Sequence, residues 1–349
     1  MTLKLTGKRL AALVAALMLV ISLSLANLNA TSGHQEQTGF PVLERGAGPL
    51  QSSIRLKAVT ALSLADGSFN AEGVLRLSWP GALQQQLEAT GTQVDGLLDF
   101  GNRIDNNDFR WNPLRLKPLR AGDGSYSQEF AFSGAFHLGE QDYASFPFIR
   151  LGLPLQLELK TMDASSGAPA IGIRQGQLQP PTTAASREVV GYQLKTLAWS
   201  QRSGQLMRSV TAVAAYTPGF WPAFCIYLIP WGAVFTLLLI APWLDTDFDN
   251  SRLAVPASAL LALVFIQDGI HTALPNLNYL TLIDKLYMFA YCCAVVEFLV
   301  FTLSQNYVNR NKEGVDPVRK RNVRAIDTAF QLSSLLGALM ILLLDSSLH

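Results

Sequence analysis

Charge is scarce in this chain. Asp, Glu, Lys and Arg make up 15% of its 349 residues, against about a quarter in an ordinary soluble domain. The deficit is local, because apolar residues collect at the N-terminus and after Phe220. A net charge of +1 gives no electrostatic reason to expect a nucleic-acid partner. Cysteine is nearly missing: Cys225, Cys292 and Cys293 all lie inside apolar runs. The stretch 31–219 therefore cannot close an internal disulfide and must be held by a packed core. Buried thiols behave as small hydrophobes, so the three cysteines read as packing residues. Histidine is limited to His34, His137, His271 and His349, which are scattered. No Gly-rich phosphate loop, metal-ligand spacing or convincing Ser/His/Asp set is found. The chain is accordingly expected to be no enzyme and to use no cofactor or metal.

What is present begins with an export-type N-terminus. Lys4, Lys8 and Arg9 precede the apolar run Leu10 to Leu25. Ser24-Leu25-Ala26 supplies small residues for a signal peptidase, with Ala30 as a poorer alternative. Residues 1–26 read as a cleaved signal peptide, and an uncleaved anchor helix is the rival reading.

Residues 27–217 read as an all-β domain. Ile54, Leu56 and Ala58 alternate with Arg55 and Lys57; Leu75, Leu77 and Trp79 alternate with Arg76 and Ser78; Leu153 to Leu159 repeat the pattern. Tyr192 to Trp199 and Val210 to Tyr216 add two strands around a turn at Arg202-Ser203-Gly204. Period-two alternation buries one face of a strand. Asp66-Gly67, Asp123-Gly124 and Ser166-Gly167 are turn dipeptides. Many short strands without helical periodicity predict a β-sandwich.

Residues 218–349 have the composition of a four-helix transmembrane domain, with spans near 220–244, 253–272, 281–303 and 325–345. The intervening segment 304–324 carries Arg310, Lys312, Arg319, Lys320, Arg321 and Arg324 against Glu313 and Asp316, which predicts a cytoplasmic loop. The β domain and the C-terminus then lie outside the cytoplasm, and the chain is a multi-pass protein of the cell inner (plasma) membrane, in contact with lipid. The export signal gives the same orientation independently.

Taken as a helix, the second span puts Ala254, Ser258, Leu261, Phe265, Asp268 and Thr272 on one face, and Asp249 and Ser251 continue that stripe. Polar residues inside a span face a bundle interior or water. An ordinary helix–helix seam is the alternative. Pro256 is read as lying near the helix start, where a missing donor costs least. Arg252 is expected to turn back to Asp247 or Asp249. His271 could titrate between pH 5 and 8, although a solvated loop-end residue is the simpler reading.

Several ordered features resemble the pentameric ligand-gated ion channels, the Cys-loop receptor superfamily, in their bacterial form. Ser53-Ile54-Arg55-Leu56 and Leu75-Arg76-Leu77-Ser78-Trp79 are similar to that family's first two strands. Trp111-Asn112-Pro113 resembles its Trp-x-Pro loop, and Phe146-Pro147-Phe148 its signature loop. Leu274-Pro275-Asn276-Leu277-Asn278-Tyr279 resembles the stretch between its second and third helices, and Pro230 the proline of its first. The chain departs where Ile149 replaces the usual Asp, where 212–219 lacks the usual Arg, and where 137–151 lacks the loop cysteines.

The resemblance implies a homopentamer with a pore lined by Asp249, Ser251, Ala254, Ser258, Leu261, Phe265, Asp268 and Thr272. It implies a coupling interface of Asp66, Phe146, Pro147, Phe148, Pro275 and Tyr279. It also implies an agonist site between β domains, for which Trp79, Asp163, Trp199 and Arg202 are the candidates. Rings of Asp268 and Asp249 would favour monovalent cations, and Leu261 with Phe265 would form a hydrophobic gate. The agonist would be an unidentified small molecule or protons. A non-conducting receptor or assembly protein is the alternative function.

Overall fold

The computed structural model describes residues 7–26, 49–105, 108–160, 171–201, 208–244, 249–309 and 317–348. The alternating segments form strands. β1 (Pro49–Ser63), β2 (Ser68–Trp79), β4 (Arg110–Pro113), β6 (Tyr126–His137) and β8 (Gly172–Gln179) pair in the order β4-β6-β2-β1-β8, with β5 (Leu119–Arg120) beside β6. The second sheet runs β3-β7-β11-β10-β9, from β3 (Leu98–Phe100), β7 (Leu151–Leu159), β11 (Ser209–Pro218), β10 (Tyr192–Trp199) and β9 (Glu188–Val189). Among the described residues, all strand pairings are antiparallel except β1 with β8.

The inward residues of the two sheets meet in an aromatic core. Phe100 of the second sheet lies 5.0 Å from Phe132 and 5.3 Å from Phe136 of the first, centroid to centroid. Trp111 stacks on Phe130 at 5.4 Å. Leu151, Leu153, Leu155 and Leu157 are buried along β7 while the residues between them are partly exposed. Burying such a side chain contributes about 1.5–3 kcal/mol, so this core can hold the sandwich-like unit without a disulfide. At the β1–β2 turn, Gly67 takes φ +58°, which glycine adopts without steric cost.

Among the described residues, one α-helix interrupts the expected all-β pattern: α2 (Gly81–Thr90). It buries only Leu83 and Leu87, one turn apart, and ends at Gly91, whose N–H bonds to Glu88 O while Thr92 N–H bonds to Leu87 O. Two apolar residues among glutamines give little periodic signal.

The chain divides into two compact units. Gln35–Gln141 with Arg150–Gly219 carries the sheets; Met1–His34, Asp142–Ile149 and Phe220–His349 make the other. The second unit contains α1 (Gly7–Ala26), α3 (Phe220–Ala223), α4 (Ile229–Ile240), α5 (Asp249–His271), α6 (Leu282–Asn309) and α7 (Pro317–Leu348). Among the described residues, four helical stretches are long and apolar enough to cross a membrane: Phe220–Trp243, Arg252–His271, Leu282–Ser304 and Arg321–Leu344. α6 and α7 both extend into the segment expected as a loop. A π-helical turn, Phe224–Leu228, joins α3 to α4 just before Pro230. Proline has no N–H and crowds the preceding turn, so the helix widens there instead of breaking. Pro256 lies seven residues after Asp249, in the interior of α5 and not in its first turn.

The β9–β10 turn is built of Val190 at φ 44° and Gly191 at φ 79°. A two-residue hairpin turn with both φ values positive prefers Asn-Gly, and a β-branched residue is strained there by about 1–2 kcal/mol. Val190 is exposed, so little packing is lost on replacement. Val190→Asn is expected to raise stability by about 1 kcal/mol, read as a higher midpoint for thermal loss of β structure in detergent.

Candidate functional site

The 3.6-residue repeat gives α5 two contrasting faces. Arg252, Pro256, Ala259, Leu263 and Ile270 are buried. Ala254, Ser258, Leu261, Phe265, Asp268 and Thr272 are all exposed, Leu261 at 60% and Phe265 at 68%. The stripe is thus not a seam between helices of one chain. Asp249 and Ser251 belong to α5, but their side chains lie outside the described residues.

Polar contacts at both ends hold α5 in this rotation. Near its start, Arg252 donates from Nη2 to Asp327 Oδ2 of α7 at 2.8 Å, and both side chains are buried. The expected partners, Asp247 and the side chain of Asp249, lie outside the described residues. The guanidinium carbon stands 4.3 Å from the Phe301 ring centroid on α6, a cation–π arrangement. Glu297 of α6 is 1% exposed, and its carboxylate oxygens have no hydrogen-bond partner among the described residues. Near the other end, His271 Nε2 lies 2.8 Å from Asp284 Oδ1 on α6. Asp284 Oδ2 accepts from the Thr281 N–H and hydroxyl at 3.0 and 2.8 Å, capping α6. Tyr291 donates its hydroxyl to Gln267 Oε1 at 2.6 Å. His271 is therefore both exposed and held by a carboxylate.

The segment Asp142–Ile149 packs with these helices. The Tyr143 N–H donates to the Tyr279 hydroxyl at 2.9 Å, and the Leu282 N–H to Ala144 O at 2.7 Å. Burial pushes the pKa of both tyrosine hydroxyls up, so they stay protonated. Phe146 meets Tyr227 edge to face at 4.8 Å, and Phe148 stacks on Phe220 at 5.8 Å. Pro147 and Ile149 are buried, and Pro275 is half-buried in the loop before α6. Of the six residues grouped as an interface, Asp66 belongs to the other compact unit, where it is exposed and accepts from Ser63 Oγ at 2.6 Å.

The candidate agonist residues do not form a described site. Trp79 is a core residue, 2% exposed, with its indole N–H donated to Gln84 Oε1 at 2.9 Å. Trp199 is half-buried and donates to Gly176 O at 2.9 Å. Asp163 and Arg202 lie outside the described residues. The alternation that sends Trp79 inward sends Arg76 outward, opposite Glu129 of β6. Arg76 and Glu129 line a shallow cleft of about 370 Å³ with Arg55, Ser53, Ser78 and Gln177. In sequence, those outward residues do not differ from an ordinary solvated strand face, so the cleft carries no signature of its own.

No family model matches the chain, and no curated protein is significantly similar to it.

Removing one partner from a buried ion pair strands the other charge, at a cost of about 3–5 kcal/mol, whereas replacing both with apolar groups is often neutral. Arg252→Met and Asp327→Leu are each expected to cut the yield of folded protein in detergent and lower its melting temperature. The double variant should lose much less than the sum. Additive losses would show that the two side chains do not act as a pair.

Proposed function

We propose that this chain is one subunit of a homopentameric, cation-selective channel of the pentameric ligand-gated class, with α5 lining the pore. The observation that carries this reading is the exposure of the whole Ala254-to-Thr272 stripe while the opposite face of α5 is packed. An apolar helix exposing Ser258, Asp268 and Thr272 in line is poorly suited to lipid, where a carboxylate costs several kcal/mol. Water in a pore ringed by identical helices suits it. Leu261 and Phe265 then form an apolar neck that closes by dewetting, and Asp268 a ring that attracts cations.

Gating transmits motion through the Phe146-Pro147-Phe148 loop. In this reading the coupling is made by aromatic and backbone contacts. Phe148 stacks on Phe220, and the Leu282 N–H bonds to Ala144 O. Buried Ile149 occupies the place of the family's usual charge. The agonist is a small molecule or the proton; for a small molecule, the cleft bearing Arg55 and Arg76 is the favoured surface on the β unit. A non-conducting receptor would have no use for an apolar neck.

The mass of the detergent-solubilised protein tests assembly: five times 38.0 kDa is expected, and a monomer would remove the reading. In planar bilayers, Leu261→Ser should supply hydroxyls to the neck and raise spontaneous current several-fold, with normal assembly. Poor assembly without leak would mean that Leu261 packs against a neighbouring helix. Asp268→Lys should reduce cation conductance and shift the reversal potential toward that of anions; unchanged values would take Asp268 out of the pore.

A further inference from the structure

We propose that α1 is retained in the mature protein as a fifth membrane helix, seated along α7 in the same direction. It is then not a leader that is cut away at Ala26. The inference does not depend on whether the protein conducts ions.

The helix has a distinct packed face. Ala11, Val14, Met18, Ser22 and Leu25 are buried at spacings of three and four, with Ala26 buried beside them, and Met18 and Ser22 are fully enclosed. Leu13, Leu17, Val20 and Leu23 on the other side are exposed. The Ser22 hydroxyl donates to Leu19 O at 2.8 Å and lies 3.8 Å from Met340 Sδ of α7. Beside it, α7 has a glycine. A Cβ on Gly337 would stand 2.5 Å from Phe289 Cζ of α6 and 3.3 Å from Ser22 Cβ. The absent side chain lets α1, α6 and α7 approach at one level, the small-residue packing by which helices associate in lipid.

The direction follows from the lengths. Ser22 is level with Gly337 and Met340. At about 1.5 Å per residue, a parallel α1 brings Ala11 to the level of roughly residue 328. An antiparallel one would carry it to about residue 348–351, at or past Leu348 where α7 ends, leaving Ala11 little or no surface on α7 to be buried against. In the sequence, Lys4, Lys8 and Arg9 stand at the start of α1 as the cationic segment 304–324 stands at the start of the fourth span, so a parallel pair of helices agrees with the positive-inside rule. The apolar part of α1, Ala11–Ala26, gives about 24 Å of helix, and its first turn, Gly7–Leu10, extends it toward the roughly 30 Å of the hydrocarbon core.

Two measurements decide the matter. The intact mass of the purified chain should include residues 7–26; a mass short of residues 1–26 or 1–30 would overturn the proposal. Disulfide trapping tests the seat. With Cys225, Cys292 and Cys293 replaced by alanine, the pair Ser22→Cys/Met340→Cys is oxidised and the chain is cut at a protease site inserted in 304–324. The two fragments should stay joined until reduced, while those of a Leu17→Cys/Met340→Cys control separate. Separation in the Ser22 pair, or a linked dimer of uncut chains, would overturn the proposal.

Discussion

Arg252 decides which way α5 faces. A guanidinium in the apolar part of a helical bundle has to be paired or it costs several kcal/mol. Here it finds Asp327 on α7 and the Phe301 ring on α6. Once that side chain is tied inward, the helical repeat leaves no freedom for the rest: residues two, six and nine positions on are turned out. The character of the outward stripe therefore depends on a residue that is not in it. Asp284 makes the second tie through His271, and its own capping bonds to Thr281 fix it in turn. Two attachments, one near each end, hold α5 against rotation about its axis better than apolar packing would, because apolar contacts are not directional.

Much of this was legible before any coordinates. Period-two runs gave β1, β2, β7, β10 and β11, since one buried face per strand is written directly as alternation. Long apolar runs with few charges gave the four spans. The stripe on α5 follows from spacing alone, and the structure exposes every described member of it. What was not legible depends on distance along the chain. The partner of Arg252 is 75 residues away, so local inspection offered nearby aspartates instead. Trp79 carried an aromatic signal that fits a core or a ligand surface equally well, and only its 2% exposure separates them. α2 was invisible because a helix with two buried leucines has hardly any periodicity. The N-terminal helix shows the same limit: hydropathy describes its solvent, whereas its neighbour is specified by Ser22 and Gly337, two unremarkable letters 315 residues apart.

The loop Asp142–Ile149 is attached to the helices chiefly through main-chain groups and rings. A backbone bond such as Leu282 N–H to Ala144 O survives almost any side-chain replacement. Stacked rings respond little to salt, because no net charge is screened. A connection of this kind is set by shape more than by electrostatics, and the burial of Ile149 fits it.

The π-helical turn at Phe224–Leu228 has a geometric effect on everything upstream of it. One additional residue in a helix advances the side-chain phase by about 100°. Phe220 and Trp221 therefore look toward a different compass point from the one an unbroken helix through Trp231 and Leu238 would give them. The two halves of this span can satisfy different surroundings: buried Trp231, Phe235 and Leu238 face the bundle below, while exposed Phe220 and Trp221 form an aromatic cluster with Phe224 above. Deleting a single residue from the turn would restore regular winding and swing that cluster through a quarter of a circle, carrying the stacking partner of Phe148 with it.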